Sequence, residues 1–162
     1  MEYTINTPEW HFQQILKALG ENTDREGLKE TPKRYIKFMR EFLQPKEFNF
    51  TSFDAEGTDE MILQTNIPFY SICEHHTAPF FGYANVAYIP NDKIVGLSKL
   101  ARTVDLYANR FQNQERITSQ IAERIQNELN PKGVAVSLKH NTYVCVCEGL
   151  RNTILGHRQQ NL

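Results

Sequence analysis

Thr7-Pro8 opens the first regular pattern along the chain, because Phe12, Ile15, Leu16 and Leu19 follow at i, i+3, i+4 and i+7 and Gly20 then offers a stop. A hydroxyl that accepts from the first free amides, followed by a ring that lacks an N–H where none is needed, makes a helix start. The prediction is a short amphipathic helix with one buried stripe. The same grammar recurs at Thr31-Pro32, with Tyr35, Phe38, Met39 and Phe42 as the stripe and Pro45 as the stop. Between them, Asp24 to Glu30 is charged and solvated, and residues 46–60 have no period and read as a connecting segment.

From Met61 to Pro90 the apolar content rises. Tyr83 to Ile89, rich in aromatic and β-branched residues, suits paired strands. Ser98 is placed to cap a helix running to about Ala108, with Leu100, Val104 and Tyr107 inward. A longer helix is predicted from about Gln112 to Leu129 on the stripe Ile117, Ile121, Ala122 and Ile125, ended by Asn130-Pro131-Lys132-Gly133. Val134 to Leu138 and Tyr143 to Cys147 then read as two strands of a hairpin-like unit. Helices, a hairpin, two helices and another hairpin imply an α+β fold with an antiparallel sheet. Residues 1–60 are an N-terminal helical segment and 61–162 the sheet-bearing domain, within one folding unit overall.

Composition narrows the function classes. With 40% hydrophobic and 23% charged residues the chain falls in the ordinary globular range, not the disordered or collagenous one. A net charge of -1 supplies no overall attraction to nucleic acid or to an anionic membrane, so any anion recognition is local. Met1 to Trp10 has neither the basic nor the apolar region of a signal peptide, and no stretch reaches the ~18 apolar residues of a membrane span, so a cytoplasmic location is expected. Three cysteines, an odd number, fit reduced thiols or metal ligation better than a secreted disulfide framework.

Cys73-Glu74-His75-His76 carries the chemistry. A thiolate and an imidazole three residues apart can bind one metal ion, and zinc takes sulfur and nitrogen ligands tetrahedrally, with three protein ligands and an open position in catalytic sites. The third ligand must come from elsewhere. On its own the motif is also compatible with a buried cysteine acting as a small hydrophobe.

The longer matches decide more. Asp24-Arg25-Glu26-Gly27-Leu28-Lys29-Glu30-Thr31-Pro32, Ile67 to His76, Pro79-Phe80-Phe81-Gly82, Gly96-Leu97-Ser98-Lys99-Leu100-Ala101-Arg102, Gln112 to Thr118 and Asn130 to Val136, in this order, resemble GTP cyclohydrolase I. The resemblance covers roughly Phe12 to Arg151. It implies the tunnelling fold (T-fold), in which copies pool antiparallel sheets into a barrel with helices outside, and a homo-oligomer, pentamer or decamer, with sites between subunits. It implies a zinc-dependent hydrolase that opens the imidazole ring of GTP, releasing formate and giving 7,8-dihydroneopterin triphosphate, with GTP or a related purine or pterin nucleotide as the ligand. By match, Cys73 and His76 are zinc (Zn2+) ligands, His75 the acid/base histidine, Gln114 and Glu115 the readers of the guanine edge, and Ser98, Lys99 and Arg102 part of the triphosphate cradle.

Near the end the match changes. Counted without gaps, Val144 stands where the family has its third ligand, a cysteine, Thr142 where it has a second active-site histidine, and Glu148 where it has a phosphate-binding arginine. A β-bulge in this strand would turn Cys145 inward as the third ligand, with His140 approaching as well. The ungapped register instead leaves two ligands and a carboxylate facing the phosphates. In that case the chain is a relative that binds a different purine or pterin, or a silent oligomeric binding protein.

Overall fold

The computed structural model describes residues 3–142 and 159–161. Its contacts divide the chain into two compact units, Met1–Gln44 and Pro45–Leu162. The first unit holds α1 (Pro8–Ala18) and α2 (Thr31–Phe42). Thr7 caps α1, accepting from Trp10 N–H, as the sequence predicts. Phe12 stacks on Tyr35 with ring centroids 4.1 Å apart. The single buried stripe expected on α1 is not found: Ile15 and Leu19 are 53% and 75% exposed, and Gln13 is the buried residue. One helix against one other has little surface to offer, so periodic apolar positions remain wet. Thr31 is not a cap either. The chain before it is already turned, Glu30 lies in the helical region, and Thr31 Oγ1 donates back to Gly27 O at 3.4 Å.

The second unit contains β1 (Ser52–Asp54), β2 (Ile62–Cys73), β3 (Pro79–Ile89), β4 (Lys93–Val95), α3 (Leu97–Ala108), β5 (Phe111–Gln112), α4 (Gln114–Leu129), β6 (Gly133–Thr142) and β7 (Gln159–Asn161). β1 pairs with β4, and the main sheet runs β5-β2-β3-β6-β7. Every described pairing is antiparallel except the short β2–β5 pair, which is parallel. Parallel pairing here brings Gln112 beside Cys73. For that reason Gln112 is strand and α4 starts two residues later than predicted, capped by Asn113, whose side chain accepts from Arg116 N–H.

α3 packs on β2 and α4 on β6, covering one face of the sheet. Leu100, Val104, Ile117, Ile121 and Ile125 are fully buried there, the predicted stripes. The facing row of strand residues includes Ile67, Phe69, Phe80, Ala84, Val86, Val136 and Leu138. Tyr70 and Tyr83, on the opposite face, are more than half exposed. Ser98 does not cap α3: the helix begins at Leu97 behind an extended Gly96, with no side-chain cap. Val95 just before it is pinned in strand by its N–H donating to the buried Tyr88 hydroxyl at 2.9 Å. Asn130 ends α4 in the left-handed region at φ 45, as its sequence suggested.

Two registers matter for the site. β2 gains one residue on β3 between Gln64 and Ile67, with Asn66 at φ 56 and its N–H donating to Asn85 Oδ1. Below this bulge Ile67, Phe69 and Ser71 face the helices, and above it Leu63 is exposed. β6, by contrast, pairs with β3 without a shift from Gly133 through Thr142. Lys139 to Thr142 is therefore strand and not the turn of a hairpin, because β3 offers partners along its whole length. Tyr143 to Cys147 and Glu148 lie outside the described residues, and so do the expectations for Val144 and Cys145. At Gly82 the strands come so close that an added Cβ would sit 2.0 Å from Lys139 O, which excludes a side chain. Among the described residues no helix is long and apolar enough to cross a membrane.

Candidate active site at the end of the sheet

The bulge-shifted strand β2 ends in Cys73 on the helix-covered side, and the chain turns back at once. Cys73 N–H donates to Ala78 O and Thr77 N–H to Cys73 O, both at 2.8 Å, with Thr77 at φ 55. This tight turn gathers the motif. Cys73 Sγ lies 3.6 Å from His76 Nδ1 and 4.0 Å from His75 Nδ1. Sulfur and nitrogen ligands on one tetrahedral zinc, at the usual bond lengths of about 2.3 and 2.0–2.1 Å, stand about 3.6 Å apart. The Cys73–His76 pair thus fits the ion it is expected to hold. Among the described residues no group of three metal-binding side chains forms, and the expected third ligand, Cys145, lies outside them.

The start of α4 is fastened to this turn. Glu74 N–H donates to Gln112 O at 3.1 Å. Its carboxylate accepts from Asn113 Nδ2 at 2.9 Å and from both terminal nitrogens of Arg116, at 2.5 and 3.0 Å. The Arg116 hydrogen bond, helped by Asn113 and by the charges of Arg116 and His75, outweighs desolvation and holds the Glu74 carboxyl below its ordinary range, and Glu74 in turn raises Arg116. Gln114 and Glu115 sit directly on this anchored turn of helix. Gln114 is 7% exposed, and its Oε1 faces His140 Nε2 in a short contact, while its Nε2 has no partner among the described residues. Glu115 is exposed. His140 stands across β3 from Phe69 in the unshifted register and packs its ring edge-on to Phe80, so it approaches the site without a bulge in the described part of β6.

Ser98, Lys99 and Arg102 are not brought to this cluster within the chain. They lie on the first turns of α3, next to the Tyr88 end of the sheet, whereas Ala108 at the other end of α3 leads into Arg110, whose carbonyl accepts from Ile72 N–H. From Lys99 to Ala108 the helix rises about 14 Å. Lys99 Nζ donates to Asn49 O at 2.7 Å and lies 5.7 Å from the Phe48 ring centroid, and Arg102 is exposed. The motif and its matches thus find Cys73, His75, His76, Gln114 and Glu115 together. Sequence reasoning missed the roles of Glu74, Asn113 and Arg116, for which the only signal was their place beside the motif residues. An open groove of about 560 Å³ on the far face of the sheet, lined by Pro68, Tyr70, Phe81, Tyr83 and Lys139 among others, contains no predicted site residue but the edge of His140.

The profile of the GTP cyclohydrolase I family matches residues 9–154. The GTP cyclohydrolase 1 of Sulfurihydrogenibium sp. (strain YO3AOP1) is 47% identical over 148 residues, 91% of this chain and 79% of its own length. That of Aquifex aeolicus (strain VF5) is 50% identical over 126 residues, covering 77% and 68%. That of Streptococcus agalactiae serotype Ia is 46% identical over 144 residues, covering 85% and 76%. The solved structure of the archaeosine synthase QueF-Like in the apo form superposes on 62% of this chain and 87% of its own with a TM-score of 0.49 at 18% identity.

Proposed function

The chain belongs to the GTP cyclohydrolase I family and has that family's α+β tunnelling fold, and from this premise we propose that it is a zinc-dependent enzyme opening the imidazole ring of GTP, with formate and 7,8-dihydroneopterin triphosphate as products. The observation that carries the reading is the 3.6 Å approach of Cys73 Sγ to His76 Nδ1, on a turn fastened to the helix start that bears Gln114 and Glu115.

Cys73 and His76 are the ligands for zinc, with Cys145 the candidate third. A zinc ion held there would lower the pKa of a bound water to about 7 and so supply a nucleophile near neutral pH. His75, 66% exposed, lies between Cys73 Sγ and the Glu74 carboxylate, where the imidazole ring of a substrate can reach it. A histidine in that position can give a proton to the ring nitrogen that leaves as the C–N bond breaks. Glu115 accepts from the N1–H and exocyclic amine of guanine, and Gln114 Nε2, without a partner among the described residues, is a donor suited to the neighbouring carbonyl oxygen. A purine lacking those groups would leave the Glu115 carboxylate and Gln114 Nε2 unpaired in the complex, which disfavours it.

Ser98, Lys99 and Arg102 are the triphosphate cradle. Their distance from Cys73 within the chain supports a homo-oligomer, pentamer or decamer, in which one copy receives the purine and another the phosphates. Thiolate ligation fits a reducing, cytoplasmic setting.

The test uses protein purified without chelator: zinc per subunit by elemental analysis, and formate with fluorescent pterin formed from GTP. About one zinc per subunit with turnover is expected, and Cys73→Ala should abolish both. Zinc without formate would move the substrate to another purine or pterin, and neither zinc nor formate would overturn the hydrolase.

A further inference from the structure

We propose that Glu74 is a positioning residue, a strut that sets the distance between the metal-binding turn and the purine-reading start of α4. Three observations meet on it. Its carboxylate belongs to the residue between two assigned to the chemistry and lies 3.9 Å from His75 Nε2, and both oxygens are already engaged by Asn113 and Arg116 of the α4 start. It is therefore not a spare metal ligand. The arginine that holds it, 42 residues away, also donates to Gln112 Oε1 at 3.4 Å. Gln112 Nε2 donates in turn to Tyr107 O at 3.0 Å and to Gln120 Oε1 at 2.7 Å, so the strut is footed on the end of α3 and the second turn of α4. Lastly, Asn113 serves twice, as the cap of α4 through Oδ1 and as a donor to Glu74 through Nδ2. The residue that starts the helix also ties it to the turn.

The consequence follows from the size of a purine. Its C8 must meet the attacking water while the far edge of the six-membered ring is read by Glu115, so the two segments must keep a fixed spacing through the reaction. Displacing reacting groups by ~1 Å can cost on the order of 100-fold in rate. A two-pronged guanidinium–carboxylate pair fixes both distance and direction, which a single ammonium contact does not.

This inference rests on the purine site proposed above, and its test separates the two. Full-length zinc-loaded protein is compared with Glu74→Gln, Arg116→Lys and the double variant, measuring zinc content, kcat and KM for GTP, and amide hydrogen exchange across residues 112–116. Glu74→Gln should retain its zinc, lose roughly 10- to 100-fold in kcat with KM changed less than about threefold, and exchange at Asn113–Glu115 roughly tenfold faster. Arg116→Lys should fall between, and the double variant should be no worse than the worse single one. Unchanged kcat and exchange with zinc bound, additive losses in the double variant, or loss of zinc from Glu74→Gln would each overturn the strut. If the unaltered protein releases no formate, the function fails while the exchange measurement still decides the strut: faster exchange in the variants supports it and unchanged exchange overturns it.

Discussion

The starts of α3 and α4 are two helix N-termini on the same sheet face, built in opposite ways. At α4 a side chain caps the helix, a salt bridge clamps it to the neighbouring turn, and the first residue is buried. At α3 a glycine precedes the helix without a cap, Arg102 is exposed, and Lys99 is held by the loop carbonyl of Asn49. The contrast suits their ligands. A purine edge is a fixed pattern of donors and acceptors that demands rigid complements, whereas a triphosphate is a flexible chain of charge that can adapt to cations set along a helix.

The largest effect is expected at the rigid end. Glu115→Ala should lower kcat/KM for GTP by about 10⁴-fold with zinc retained, seen in steady-state formate release; a loss under tenfold would remove the purine from this helix. At the loose end Arg102→Ala should cost about 10- to 100-fold, mainly in KM, because a single charged hydrogen bond is lost. Mixing these two variants sharpens the contrast. If purine and phosphates are held by different copies, random reassembly should restore about a quarter of the sites, and no recovery would put both ends in one chain. Asn113→Ala should lower unfolding stability by about 1 kcal/mol through the lost cap, read from denaturant midpoints. Gly96→Ser tests the reverse: nothing lies within 4 Å of an added Cβ, so a cap there should add a few tenths of a kcal/mol.

The sequence reveals local order well and meeting points poorly. The stripes Leu100/Val104 and Ile117/Ile121/Ile125 and the stop at Asn130 were legible because a helix states its face and ends within a few residues. Gln112 was misread as helix because its pairing with Cys73 joins segments far apart in the chain. Ile15 and Leu19 had the right period, but period predicts burial only where a partner surface exists. At the site, Cys73, His75 and His76 were visible as a motif. Glu74 was masked by them, and the remoteness of Lys99 was invisible, because linear order does not say which end of a sheet a helix begins at.

The extra residue near Asn66 acts as a frame marker for the strand that follows. With it, the alternation that sends Ile67 and Phe69 into the core also sends Cys73 toward its histidines. Without it, the same strand would turn its apolar side chains to solvent and the thiol away from the turn's imidazoles together. A variant cannot reverse the thiol by a one-residue deletion and remain well folded. Selection for a stable core therefore also preserves the thiol's direction, even in a lineage where the reaction itself is no longer under selection.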